Sequence, residues 1–216
     1  MPSVEQMLDH ILDRAVVEGF LTPAAATEGP AHSAGFLGFQ DLDLPGERMS
    51  ESGLALDLGT GGGVPGLVLA AMTPWRWILV DRGDRRTTFL RWGIRELGIQ
   101  ERVEVMLSDA VDVGRGPVRG TASLVTARGF APPGSTAECA APLLSENGVL
   151  VVSEPPTTAG PRWSDAGLRS LGLDDAGGWV SEEVPNTARY RAMVRVEPCP
   201  DRFPRRFPRQ VADPLF

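Results

Sequence analysis

The chain predicts an α/β fold: a doubly wound, mostly parallel sheet closed by a C-terminal antiparallel hairpin, with an N-terminal helix and a long loop ahead of it. Three observations carry that prediction. From Leu54 onward, short apolar runs alternate with helix-period segments, the pattern of parallel strands joined by right-handed crossovers. A glycine-rich turn, Gly59 to Gly63, follows the first apolar run and leads into a helical pattern. The last two apolar runs have no helix between them, as an antiparallel pair requires.

Taken in order, residues 3–19 place Val4, Met7, Leu8, Ile11, Leu12, Ala15 and Val16 at three- and four-residue spacing behind Ser3, which predicts an amphipathic helix with a serine cap. Residues 20–52 show no comparable period and contain Pro23, Gly29, Pro30, Gly35, Gly38, Pro45 and Gly46, so a long loop or lid is expected there. Strands are expected at 54–58, 76–81, 102–106, 122–127 and 148–153, and helices at 65–72, 85–97, 135–144 and 164–171. Residues 178–184 and 189–196 read as a hairpin joined around Pro185, Asn186 and Thr187.

Composition bounds the chemistry. A chain of 216 residues with 42% hydrophobic side chains suffices for one domain with a continuous core, and 25 glycines with 19 prolines mean plentiful loops. All 21 basic residues are arginines, which excludes a Schiff-base lysine, a lysine general base and a phosphate-binding-loop lysine. The net charge of −7 argues against broad, nonspecific nucleic-acid binding but not against a local arginine patch. Two cysteines, Cys139 and Cys199, and two histidines, His10 and His32, form no metal-ligand spacing, so no metal is expected. Reduced thiols, an N-terminus without a basic-then-apolar leader and apolar runs too short for a membrane span fit a cytoplasmic protein with no membrane partner, expected as a monomer.

The chemistry concentrates around Asp57-Leu58-Gly59-Thr60-Gly61-Gly62-Gly63. Two ligands fit these glycines. A dinucleotide would use G-x-G-x-x-G, met by Gly61, Gly63 and Gly66. S-adenosylmethionine would use D-x-G-x-G-x-G, met by Asp57, Gly59, Gly61 and Gly63. The acid favours the second, because a carboxylate can accept a hydrogen bond from the ammonium of a methionine moiety, whereas beside a pyrophosphate it would repel. Asp81 ends the second strand, where an acid can accept both ribose hydroxyls, with Arg82 beside it; capping the next helix is its alternative use. Ser108-Asp109-Ala110-Val111 follows the third strand and is placed to border an adenine.

Three stretches give a family resemblance: Asp57 to Gly66, Val125-Thr126-Ala127-Arg128-Gly129-Phe130-Ala131-Pro132, and Phe203-Pro204-Arg205-Arg206 with Pro214-Leu215. In these the chain resembles the RsmG (GidB) family of 16S rRNA guanine-N7 methyltransferases. The resemblance implies a class I methyltransferase (Rossmann-like) fold and S-adenosylmethionine as cofactor. It also implies cofactor contacts at Gly59, Val64, the Ala110–Val111 backbone and Arg128, and ribosomal RNA or a small-subunit particle as partner. On that basis residues 1–52 form an N-terminal helix and loop or lid extension, and 53–216 a cofactor-binding methyltransferase domain with a basic C-terminal tail. The chain departs from the family in lacking a Trp-Asn…Asn-Leu-Thr segment at residues 20–52. After the fifth strand it has Ser153-Glu154-Pro155-Pro156 in place of a Lys-Gly pair.

The reaction is compatible with the residues present. A guanine N7 lone pair carries no proton, so no general base has to precede the transfer, and alignment supplies much of the rate. Arg128, at the end of the fourth strand, is the candidate catalytic residue: it can hydrogen-bond guanine O6, clamp a phosphate or close over the cofactor. Within residues 189–209, Arg189, Arg191, Arg195, Arg202, Arg205, Arg206 and Arg209 are set against only Glu197 and Asp201. Of these, Arg205, Arg206 and Arg209 are the expected RNA contacts, with Phe203 and Phe207 either stacking on bases or docking the tail. Two other readings stay open: a small-molecule acceptor with residues 20–52 as its lid, and a cofactor- or RNA-binding module without catalysis.

Overall fold

Residues two apart on a strand share a face, and in this chain they sort into two apolar layers. In the computed structural model, which describes residues 2–46, 49, 53–156, 162–182 and 187–216, seven strands form one sheet. They are β1 (Leu54–Leu58), β2 (Arg76–Asp81), β3 (Val103–Leu107), β4 (Ala122–Ala127), β5 (Leu144–Glu154), β6 (Leu173–Ser181) and β7 (Ala188–Arg195), in the order β3-β2-β1-β4-β5-β7-β6. β1 to β5 are parallel, and β7 runs antiparallel to both β5 and β6. The predicted class, a doubly wound sheet with an antiparallel end, is the observed one.

The helices are α1 (Val4–Val17), α2 (Pro23–Ala34), α3 (Gly66–Met72), α4 (Asp84–Glu96), α5 (Ala110–Arg115), α6 (Pro133–Ala140), α7 (Asp165–Ser170) and α8 (Phe207–Ala212). Trp77 and Leu79 of β2 face a layer with Ile11 and Leu12 of α1, Leu67 of α3 and Leu90 of α4. Ile78 and Val80, one position along, face the opposite layer with Val113 of α5, Ala137 and Ala140 of α6 and Leu168 of α7. A buried leucine or isoleucine contributes about 1.5–3 kcal/mol, so covering both faces is what holds the parallel strands together.

Residues 20–52 correct the sequence reading. Where a loop or lid is expected, the described residues form α2 and a 3-10 helix over Gly35–Asp41. Thr22 caps α2 by accepting a hydrogen bond from Ala25 N–H at 3.2 Å, and Pro23 occupies the first turn, which needs no amide donor. The glycines there are spacers in packing. A Cβ on Gly35 would overlap Tyr190, one on Gly38 would overlap Trp179, and one on Gly29 would stand 3.0 Å from Val64. Tyr190 donates to the His32 carbonyl at 2.7 Å and Trp179 to the Gly35 carbonyl at 2.8 Å, which fastens the segment to the β6–β7 pair.

Smaller differences have equally local causes. β5 starts at Leu144, because Ala141–Leu143 turns as a 3-10 helix after the shortened α6. β6 starts at Leu173, ahead of its expected position, because exposed Asp174 and Asp175 break the apolar pattern without breaking the pairing. Pro185 and Asn186, expected in the hairpin turn, lie outside the described residues. The short helices α5 and α8 have no counterpart in the sequence reading.

Phe36 is 1% exposed and meets the Tyr190 ring at 5.0 Å between centroids. Phe36→Ala is expected to lower unfolding free energy by about 3–5 kcal/mol in urea denaturation, whereas a detached lid would leave the midpoint unchanged.

Candidate functional site

The sheet reverses its winding between β1 and β4, and open α/β sheets bind ligands at the carboxyl ends of their strands beside such a switch. Here β1 runs into a turn in which Gly59, Gly61 and Gly63 have φ of +70°, +59° and +101°. Those backbone conformations are open to glycine and strained for other residues. The turn hangs on the neighbouring strand: Gly59 and Thr60 N–H donate to the Val80 carbonyl at 2.9 and 3.1 Å. It closes on itself where Gly63 N–H donates to the Thr60 carbonyl at 2.9 Å.

Asp57 secures the other side. Its carboxylate is fully buried; Oδ1 accepts from Thr126 Oγ1 at 2.7 Å and Oδ2 from Gly66 N–H at 3.1 Å. A Cβ on Gly66 would overlap that carboxylate. Burial pushes the Asp57 carboxyl up to about 7, against the hydrogen bonds from Thr126, Thr60 and Gly66 and the charge of Arg128. Expected to receive an ammonium group, Asp57 is instead turned into the structure, tying the glycine turn and the start of α3 to β4.

Asp81 behaves differently. Oδ2 accepts from Gly61 N–H at 3.0 Å, Oδ1 from Gly83 N–H at 2.7 Å, and Arg86 reaches Oδ1 through Nη2 at 2.6 Å. Burial works to raise its pKa, but the Arg86 hydrogen bond, the two amides and the Arg86 charge together hold this carboxyl below the usual carboxylate range. Asp81 and Gly61 share the wall of a cleft of about 360 Å³ with Gly59, Arg82, Asp109 and Ala110. That volume lies within the range of small-molecule sites. Asp109 caps α5 by accepting from Val111 N–H at 2.8 Å, so the Val111 amide points back at the cap and not into the cleft.

The expected site residues thus divide. Gly59, Gly61, Asp81, Arg82, Asp109 and Ala110 line the cleft, whereas Asp57, Gly63, Val64 and Val111 support it from within. Arg128 lies beyond Gly129 and Phe130, on an adjoining hollow of about 310 Å³ at the ends of β4 and β5. Burial lowers its pKa, against attraction to the ionised forms of Tyr190, Asp57 and Glu28. In turn burial, with the Arg128 charge, pushes His32 down to about 4 and keeps that imidazole neutral.

Among the cleft-lining residues that sequence reasoning left out are Phe20, Phe207 and Arg86. Phe20 enters after Gly19 (φ +75°) reverses the chain at the end of α1, and it packs edge-on against Phe89. Phe207 reaches the cleft from the opposite end of the chain. Arg86, on α4, is the direct partner of Asp81. Their signals were present: a glycine just past a helix end in the first case and i, i+5 spacing from a strand-terminal acid in the last.

The three arginines assigned to RNA sit in different settings. Arg205 is tied to fully buried Glu138, its Nη2 2.7 Å from Oε2 and its Nε 2.9 Å from Oε1, and also meets Asp213. Arg209 pairs with Asp213 at 3.0 Å on the surface, and Arg206 is exposed. Phe203 is buried and docks the tail. Burial pushes the Cys139 and Cys199 thiols up to about 12 and 11, which keeps both protonated and unreactive.

A folded Asp57 that keeps its proton to about pH 7, against 3.8 when unfolded, makes folding less favourable as pH rises through that window. Asp57→Asn removes this dependence. Relative to the unsubstituted protein, the variant is expected to gain about 2–4 kcal/mol between pH 4 and pH 8 in urea denaturation.

Comparison with known proteins matches residues 45–154 to a family model described as GidB, rRNA small subunit methyltransferase G. Relatives bearing the name ribosomal RNA small subunit methyltransferase G include one from Kineococcus radiotolerans, 36% identical over 72% of this chain and 64% of its own length. Another, from Parasynechococcus marenigrum, is 33% identical with the same two coverages. A third, from Deinococcus radiodurans, is 32% identical over 80% of this chain and 70% of its own. The chain therefore spans 64% of the length of the first two. Among solved structures it is similar to geranyl diphosphate C-methyltransferase from Streptomyces coelicolor, with a TM-score of 0.59 at 14% identity over 77% of this chain and 79% of that one. It is also similar to P. horikoshii TYW2 in complex with MeSAdo, at 0.58 and 14% over 82% and 65%. At that identity the structures speak for the fold alone. The family model covers just over half of the chain, and the Deinococcus relative is matched over most of its length: the chain belongs to the GidB family, rRNA small subunit methyltransferase G.

Proposed function

We propose that this chain is an S-adenosylmethionine-dependent methyltransferase that modifies guanine N7 in 16S ribosomal RNA, within the small subunit or a particle assembling it. Residues 53–216 carry the transferase, residues 1–52 brace it, and the cytoplasm, as a monomer, is its place of work. The observation that carries the reading is the cleft itself, where the Asp81 carboxylate and the Gly61 turn meet at the sheet's switch point. Family membership supports the RNA substrate.

The residues present fit the cofactor. Gly59 and Gly61 leave the floor of the cleft free of side chains, and a Cβ on Gly59 would stand 2.8 Å from Phe130. Asp81 would take the ribose hydroxyls. The Gly61 and Gly83 amides are fixed by the backbone, whereas the Arg86 side chain is 38% exposed and is the partner free to yield its place to a diol. Ala110 and the capped Asp109 would border the adenine. When bound, the cofactor supplies a sulfonium methyl open to in-line displacement by a ring nitrogen, a reaction that asks the protein for alignment and no general base. Arg128 would hold the acceptor base through O6, and exposed Arg206 would meet phosphate.

Two measurements test the reading. Isothermal titration with S-adenosylmethionine should give one site, with Asp81→Asn weakening it about 10–100-fold through loss of a charged hydrogen-bond acceptor. Labelled methyl should pass to small-subunit RNA and be recovered as 7-methylguanosine; cofactor binding with no labelled RNA, naked or in particles, would sink the substrate claim. Arg206→Gln should weaken RNA binding evenly across sequences and reduce its log–log salt slope by about one.

A further inference from the structure

The hollow beyond the cofactor cleft lies at the carboxyl ends of β4 and β5 and shares Gly129 and Phe130 with the cleft as a common wall. Two of its walls are aromatic, Phe130 and Trp163, and flat rings of this kind take up unstacked bases in RNA-binding proteins. Its polar groups are of opposite sign. Arg128 is half-buried and makes no hydrogen bond or ion pair among the described residues, so its guanidinium N–H groups are left for an acceptor. Glu154, with a side chain 11% exposed, lines the same hollow and is held rigidly: Oε2 accepts from Arg162 Nη1 and Oε1 from Trp163 Nε1, both at 2.7 Å. Each oxygen keeps a further lone pair.

We infer that this hollow is the acceptor-base pocket and that Glu154 is its specificity-determining residue, reading the N1–H and N2–H₂ edge of guanine. The inference rests on the methyltransferase reading above. Guanine offers two adjacent donors on its Watson–Crick edge, which match a carboxylate, and an acceptor at O6, which matches a guanidinium N–H and leaves the N7 lone pair free for the methyl group. Its N7 lies across the ring system from the edge that Glu154 reads, so a base held by that edge can turn N7 toward the shared wall. Adenine offers the carboxylate an acceptor at N1 and is repelled. A carboxylate and a guanidinium lining one hollow together with two aromatic rings therefore select guanine among the bases by charge and donor pattern.

The test uses the full chain loaded with S-adenosylhomocysteine and labelled oligouridylates carrying one central guanosine or one central adenosine, with binding read by fluorescence anisotropy. The unsubstituted protein should bind the guanosine oligonucleotide about 10-fold or more tightly than the adenosine one. Glu154→Gln presents an amide that matches the adenine edge, so adenosine binding should rise and the ratio fall to about one. A merely disrupted pocket would not gain affinity for adenosine. Arg162→Gln removes the ion pair but keeps the carboxylate, and should keep the guanosine preference. An unchanged ratio in Glu154→Gln, or equal binding of the two oligonucleotides by the unsubstituted protein, overturns the inference. So does loss of preference in Arg162→Gln equal to that in Glu154→Gln, which would make Glu154 an anchor for the Arg162–Trp163 segment. Methyl transfer to small-subunit RNA is measured in parallel. Transfer without guanosine preference refutes the pocket alone, whereas guanosine preference without transfer supports the pocket and refutes the proposed activity.

Discussion

Everything in the cleft depends on one buried carboxylate. Asp57 has no contact with solvent, yet it joins three pieces of chain: the end of β1 that carries it, the Gly66 amide at the start of α3, and Thr126 on β4. Without this tie the glycine turn would be held by its own Gly63–Thr60 bond and by β2, through the Val80 carbonyl and the Asp81 carboxylate, with nothing anchoring it to β4 and α3. A buried acid with two good donors is costly to ionise but strongly directional, and direction is what a binding turn needs. Asp81, on the adjacent strand, is also buried but lines the cleft and is bonded to two amides and Arg86. Two aspartates near the ends of neighbouring strands thus divide the work: one organises the turn from behind, and the other faces the cleft.

Legibility in the sequence followed the range of the interactions. The glycine turn and Asp81 could be read because a backbone that must turn and expose its amides leaves a contiguous mark. The direction of Asp57 was available in principle. Alternate residues along β1 share a face, and Ala55, two positions earlier, packs into the same layer as α1 and α3, away from the cleft. Helix α2 and the 3-10 helix after it were hidden because Gly29, Gly35 and Gly38 are there for Val64, Tyr190 and Trp179 to approach, and small residues carry no amphipathic period. Glu154 was passed over because its meaning comes from Arg128 and Trp163, which only the sheet brings alongside it.

The arginines make the same point about charge. Counted along the chain, the C-terminal cluster is a basic patch. In space, much of it is spent internally: Arg205 neutralises the fully buried Glu138, Arg195 holds the Leu144 carbonyl and Arg191 pairs with Asp175, while from outside the cluster Arg119 gathers the Cys199, Pro200 and Phe203 carbonyls and Arg115 holds the Pro204 carbonyl. Guanidinium forks suit this work because several planar donors can satisfy carbonyls that would otherwise be stranded beneath a tail without regular structure. A chain without lysine can therefore be rich in cation and still show a modest positive surface.

That tail also gives the molecule an order of completion. One wall of the cleft is Phe20, from the beginning of the chain, and another is Phe207, from its last helix. Tail and sheet are locked together by Gln210 against Cys139 and by Phe216 against Gly167. Sheet and cleft are therefore completed by different parts of the chain: the seven strands pair without the segment that carries Phe207, and the cleft has its full wall only once that segment is docked.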